Sequence, residues 1–271
     1  MKPAAEELVV LGTGNAMVTR CFNTCFALRF GTEIFLIDSG GGNGILRALA
    51  DAGISPCDIH HIFITHAHTD HILGVPWLVR SIGTQMLNGH YDGVLNLYCH
   101  DVAEQVIRTI CELTIQKKFT RLFDDRIRFV PLNDGATAAI FGSDVRFFDI
   151  RSTKAKQFGM TVSLSEGRKL VCLGDEPCDP ACEPLAADAD WLLCEAFCLY
   201  EDRERFKPYE KNHSTAKDAA ELAERLHVKN LVLWHTEDKT LATRAAAYTT
   251  EARAHFSGCV FVPHDLDKIK F

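Results

Sequence analysis

The chain has 271 residues, 47% of them hydrophobic, and a net charge of −7 at pH 7. That is enough apolar content to bury one substantial core, and no apolar run reaches the ~20 residues of a membrane span. An acidic chain has no global field to gather nucleic acid, so any contact with RNA or DNA would need a local basic patch. Eleven cysteines, an odd number scattered without a framework, predict free thiols in a reducing cytoplasm. The pairs Cys21/Cys25, Cys178/Cys182 and Cys194/Cys198 lack a second pair at zinc-finger spacing and read as buried. No apolar targeting segment precedes residues 8–11. Linkers and low-complexity tracts are absent, so residues 1–271 read as a single domain.

In chain order, residues 24–30 and 34–38 read as a hairpin closed at Gly31-Thr-Glu33 and ending in Asp38-Ser-Gly-Gly-Gly. Residues 59–65 form a β-branched and aromatic run, a buried strand. Helices are predicted over 44–53, 72–82 and 102–113, with a strand over 95–99 and a loop over 81–93 near the edge where that buried strand ends. After a strand over 145–150, residues 160–165 and 168–175 repeat the hairpin plan, again with an aspartate, Asp175, at the exit. A strand follows at 191–194, then helices over 215–226 and 241–256. The first of these has Ser214 or Thr215 as cap and an apolar stripe of Ala216, Ala219, Ala220, Leu222, Ala223 and Leu226. Strands and helices thus interleave in two similar units. The architecture that buries both is an α/β fold, an αββα sandwich of two similar halves, with loops meeting at one shared edge.

The chemistry concentrates in Thr65-His-Ala-His-Thr-Asp-His71, where His66, His68, Asp70 and His71 follow the buried strand. Imidazole and carboxylate are the donors that borderline divalent metals prefer, zinc above all. Apolar flanks and a strand-end position argue against a merely His-rich surface loop.

With Leu11-Gly-Thr-Gly14, Leu36-Ile-Asp-Ser-Gly40, Leu173-Gly-Asp175 and Leu231-Val-Leu-Trp-His235, this stretch resembles the metallo-β-lactamase superfamily over nearly the whole chain. Glu195-Ala-Phe and His213-Ser-Thr make it similar to the ribonuclease Z branch. The resemblance implies one metal on His66, His68 and Asp175 and a second on Asp70, His71 and His235, with Asp175 bridging. Zinc is the implied cofactor, as one or two ions, with manganese or iron as alternatives. The spacing is physically reasonable, because residues two apart on an extended segment point the same way. A carboxylate bridge also relieves repulsion between cations ~3.5–4 Å apart.

Two departures from the family pattern stand out. The family supplies a further histidine to the first metal from a loop after a mid-chain strand, yet no histidine occurs between His100 and His213. Arg151 stands where it is expected. A guanidinium does not bind zinc, so Arg151 either pairs with an acidic side chain or grips a substrate phosphate, aided by Lys154 and Lys156. His100 lies too early to substitute and reads as structural. The second departure is length: residues 151–175 hold only a short hairpin, with no room for the tRNA-gripping arm of ribonuclease Z enzymes. That speaks against tRNA 3′ processing by the usual grip.

The resemblance implies hydrolysis of a phosphodiester, on a nucleotide or RNA-like end, by a water activated on metal. Asp70 would orient that water. His213 would protonate the leaving oxygen, and Glu195 would hydrogen-bond His213 and raise its pKa. The residues leave two alternatives open: hydrolysis of another ester class such as a thioester or lactone, or a metal-binding protein with an impaired first site. The charged, aromatic stretch 199–209 reads as a solvated connection more readily than as a lid. No membrane partner is expected, and a homodimer is implied by resemblance only.

Overall fold

A computed structural model describes residues 7–271; the stretch before residue 8, where no targeting segment was expected, lies almost wholly outside the described residues. The strands are β1 (Glu7–Gly12), β2 (Cys25–Phe30), β3 (Glu33–Ile37), β4 (Ile59–Phe63), β5 (Leu95–Cys99), β6 (Ile127–Pro131), β7 (Thr137–Ile140), β8 (Ser143–Asp149), β9 (Phe158–Ser163), β10 (Lys169–Cys172), β11 (Trp191–Glu195), β12 (Asn230–Trp234), β13 (Cys259–Phe261) and β14 (Lys268–Lys270). The helices are α1 (Gly44–Asp51), α2 (Thr69–Ile72), α3 (Val75–Leu87), α4 (Asp101–Thr114), α5 (Lys117–Thr120), α6 (Glu183–Ala186), α7 (Arg203–Phe206), α8 (Ala216–Arg225) and α9 (Arg244–Arg253).

Among the described residues the strands form two seven-stranded sheets, in the orders β14-β1-β2-β3-β4-β5-β6 and β13-β12-β11-β10-β9-β8-β7. The expected duplication is visible in the pairing. In the first sheet β1, β2 and β3 are antiparallel and β3 to β6 parallel. In the second, β8, β9 and β10 are antiparallel and β10 to β13 parallel. Parallel neighbours exit at the same edge, the usual place for ligand-binding loops in such sheets.

The sheets pack face to face with helices outside, an αββα sandwich. Side-chain alternation builds the layers: Phe35 and Ile37 of β3 face the other sheet, while Ile34 and Leu36 face the helices. With both faces covered, the strands read as unbroken apolar runs. Ile45, Leu49, Leu78, Val79 and Ile107 of α1, α3 and α4 cover the first sheet. Phe26, Phe63, Phe147, Met160 and Trp234 fill the middle. Ala219, Ala220, Ala223 and Tyr248 of α8 and α9 cover the second sheet. The side chains of Thr215 and Asp218 cap the start of α8 reciprocally.

The structure corrects the reading of residues 72–93. The expected single helix is two, α2 and α3, with Pro76 in the first turn of α3. Buried Ile82 and Met86, at helical spacing, carry α3 through Gly83 to Leu87. The remaining loop lies away from the edge predicted for it. Tyr91 donates its hydroxyl to the Ile59 carbonyl at 2.8 Å, at the start of β4, whereas the histidine run follows the end of β4.

Candidate metal centre

The loop after β4 and the exits of β10 and β12 bring the implied ligands together in two groups: His66, His68 and Asp175, and Asp70, His71 and His235. Asp175 Oδ2 is central. It lies 3.6 Å from His66 Nε2 and 3.5 Å from each of His71 Nε2 and His235 Nε2. His66 Nε2 and His68 Nδ1 are 2.9 Å apart, and Asp70 Oδ2 is 3.3 Å from His71 Nε2. Two donors held about 2.1 Å from a shared zinc at tetrahedral angles sit roughly 3.4 Å apart. The cluster therefore has the spacing of a metal centre.

The second ring nitrogens of His66, His71 and His235 are engaged by polar neighbours that aim the rings. Asp38, at the exit of β3, takes His71 Nδ1 on Oδ2 at 2.7 Å and accepts from Thr65 N and Thr65 Oγ1 at 2.8 Å. Thr65 Oγ1, its own proton committed to Asp38, faces His66 Nδ1 at 2.9 Å. Thr24 Oγ1 donates to the Gly14 carbonyl and lies 3.2 Å from His235 Nδ1. Each arrangement fixes the tautomer that leaves Nε2 free for an ion. Ser39 holds the far end of the loop, its N–H and hydroxyl both donating to the His71 carbonyl. Sequence reading noted Asp38 as an acidic strand exit within Leu36-Ile-Asp-Ser-Gly40 but missed its role as a support; its signals were that landmark and the parallel with Asp175 in the duplicated hairpin.

The donors fit a metal. Among the described residues the buried His71 Nε2 has no hydrogen-bond partner, a costly state for a polar atom that an ion would relieve. Burial alone would raise the Asp175 carboxyl, but His66 and then His71 and His235 outweigh it and hold Asp175 well below the usual range. Asp70 is likewise held down, with His71 outweighing burial. Burial pushes His66 and His235 down, toward the neutral form that ligates. His71 runs the other way: Asp70 and Asp38 overcome burial and raise it. An ion must therefore displace its proton.

Above the cluster lies a cleft of about 680 Å³, with His68, Asp70, Asp175, His235 and His213 among its lining residues. Asn15 to Val18, Phe206 and the stretch from Tyr209 to Asn212 also line it, together with Thr153, Lys154 and Lys239. Of the segment 199–209 read as a solvated connection, Phe206 and Tyr209 line the cleft.

Three further expectations meet the structure differently. Arg151 is exposed, takes a left-handed φ of 61° and is not among the cleft residues; Lys154 of the same loop lines it instead. Lys156 pairs with Asp101 at 2.7 Å and is also off the cleft. Glu195 does lie beside His213, but Oε2 is 3.7 Å from His213 Nδ1, outside hydrogen-bond range. Glu195 Oε1 instead accepts from Ser214 N at 2.5 Å and Ser214 Oγ at 2.6 Å. Burial, then the neighbouring His235, lower His213 to about 3; a raised value was expected from Glu195. His213 stacks on Phe197, ring centroids 4.8 Å apart. His100 accepts from Ala103 N at the start of α4, a capping role.

A family profile described as "Anti-Pycsar protein Apyc1" matches residues 6–256. Ribonuclease Z of Methanothermobacter thermautotrophicus is 30% identical, the match covering 84% of this chain and 86% of the relative. Among solved structures, the metallo-β-lactamase fold protein YhfI from Bacillus subtilis superposes with a TM-score of 0.77 at 16% identity, covering 99% of this chain and 100% of that one. The short form of human tRNase Z does so at 0.72 and 24% identity, covering 97% and 98%. The fold comes from the structures and the kinship from the sequence matches: the chain belongs to the Anti-Pycsar protein Apyc1 family and is a ribonuclease Z-like, metal-dependent hydrolase of the metallo-β-lactamase superfamily.

Proposed function

We propose that the protein hydrolyses a nucleotide-sized phosphodiester, with zinc as the resident metal and manganese or iron as substitutes. One observation carries this: a carboxylate oxygen equidistant from three imidazole nitrogens, at a cleft of small-molecule dimensions. When bound, the ions would polarise the phosphoryl oxygens and acidify water. His66, His68 and Asp175 would hold one ion, and Asp70, His71 and His235 the other, with Asp175 shared. Asp70, facing the cleft, also orients the attacking water. Lys154 draws a phosphate oxygen toward the cluster, the role first considered for Arg151. His213 lines the cleft with its Nδ1 facing Glu195; the negative charge of a bound phosphodiester would raise its lowered pKa and so let it hold the proton that the leaving oxygen needs. Phe206, Tyr209 and Met17 offer apolar surface to a base.

The short hairpin β9–β10 between Arg151 and Asp175 leaves no arm for a folded RNA, which favours a small substrate over the tRNA implied by the names of some relatives. The test is turnover by zinc- or manganese-loaded protein of an activated aryl phosphodiester, of nucleotide diesters and of a tRNA precursor. Diester turnover that disappears in Asp70→Ala, with nucleotide diesters preferred over the precursor, is expected. Cleavage of a thioester or lactone by fully loaded protein that leaves every phosphodiester intact would sink the reading.

A further inference from the structure

The geometry points to Gln157 as the positioning residue of the metal centre: it fixes one oxygen of Asp175 so that only the other is offered to metal. This rests on the two-ion reading above. Gln157 is 1% exposed, and its Nε2 donates to Asp175 Oδ1 at 2.6 Å. An ionised carboxylate oxygen only accepts, so the amide must present its nitrogen there. With Oδ1 committed, Oδ2 remains, and it is the atom at 3.5–3.6 Å from His66, His71 and His235 Nε2.

The backbone on both sides of Gln157 is pinned. Its carbonyl accepts from Ile150 N at 3.0 Å, closing the loop between β8 and β9, and Phe158 N donates to the Thr65 carbonyl at 3.0 Å, beside His66. The facing turn is shaped to admit the amide. At Gly174, where φ is +81°, a Cβ would lie 2.5 Å from Gln157 Nε2. Among the described residues no other side chain or backbone N–H donates to Asp175 Oδ1, so loss of this amide would leave the carboxylate free to rotate.

The consequence is an asymmetric centre. The Asp70, His71 and His235 group gains Asp175 Oδ2 as a fourth protein donor. The His66, His68 and Asp175 group has three and keeps an open position, the arrangement of a catalytic rather than a structural site. Gln157 does not fill that position; it sets the direction of the shared oxygen.

The test compares wild type, Gln157→Leu and Gln157→His, each stripped by chelator and titrated with zinc against a chromophoric competitor, with cobalt absorption as a second signature of coordination. Leucine preserves bulk and removes the donor; histidine keeps a donor. Two equivalents are expected for the wild type. Q157L should weaken the weaker equivalent by about tenfold or more, as loss of a support to a metal ligand usually does, and alter the cobalt spectrum. Q157H should stay within about threefold of wild type or bind tighter. If Q157L does not fold by circular dichroism, Gln157→Met replaces it. Q157L or Q157M binding like wild type, Q157H as impaired as the apolar variant, or a wild type with a single equivalent would each overturn the proposal. A wild type that takes up no zinc overturns the metal reading itself, a separate outcome.

Discussion

The two ligand groups share Asp175 and differ in what stands behind them. In the Asp70, His71 and His235 group every ligand is buried, and two of the rings are aimed by fixed partners, Asp38 and Thr24. In the other group His68 is half-buried and lines the cleft, its recorded polar neighbour is another ligand, His66, and the carboxylate depends on one amide from a loop. The contrast separates holding an ion from exposing it. The firmly backed group is built for retention and the loosely backed one for access by substrate.

The sharpest break in this comparison is Asp175→Ala. It removes the shared atom, so metal content should fall toward zero and turnover by at least about 10³-fold. Retention of one ion in that variant would show that the groups are independent. His68→Ala should strip only the weaker ion, leaving about one equivalent and losing on the order of 10²-fold in turnover, read by metal analysis beside kinetics. Asp38→Ala attacks chiefly the opposite group, by direct loss of the His71 partner, and reaches His66 only through Thr65. It should weaken the tighter ion by roughly 10–100-fold and lower the melting point of the chelated protein, because Thr65 and His71 lose their acceptor. Lys154→Ala should raise KM about fivefold with little change in kcat, the signature of lost phosphate binding. Arg151→Ala, off the cleft, should change either constant less than about twofold.

A pH prediction concerns a residue outside both groups. Burial, then His60, lowers His61 to about 4, below its ordinary value near 6.5. Between those values the unfolded chain binds the proton and the folded chain does not, so stability rises with pH across that window and is lost as pH falls toward 4. Denaturant melts of chelated protein at pH 7 and 5 should show the loss. His61→Gln should reduce it, the lowered His66, His213 and His235 keeping the rest; an unchanged slope would show that His61 contributes nothing.

What the sequence disclosed follows from how information is spaced along the chain. His66 to His71 are contiguous, so their chemistry could be read as a word. Asp175 and His235 each close an apolar strand, a local pattern that marks a sheet edge. The duplicated hairpin gave the two-half architecture for the same reason. Gln157 carried no local mark: a glutamine in a loop acquires meaning only when another strand exit delivers a carboxylate to it. The cleft wall of Phe206 and Tyr209 to Asn212 escaped because its charges and aromatics suit solvent equally well, and only the return of the chain over the cluster decides. Arg151 was placed by its distance from a strand end, which fixes neither its left-handed backbone nor where its side chain goes. The 81–93 loop was misjudged because sequence order does not say which end of β4 it meets.

Each ligand group draws members from both sheets: His66 and His68 with Asp175, and Asp70 and His71 with His235. An ion at this edge would act as a rivet through the sandwich. It has no equivalent site in a chain whose sheets have come apart, so free metal at a hundredfold over its dissociation constant would add ~2.7 kcal/mol to the work of separating them. The same atoms that ready the centre for chemistry would thereby make the resistance of the fold to heat a function of metal supply.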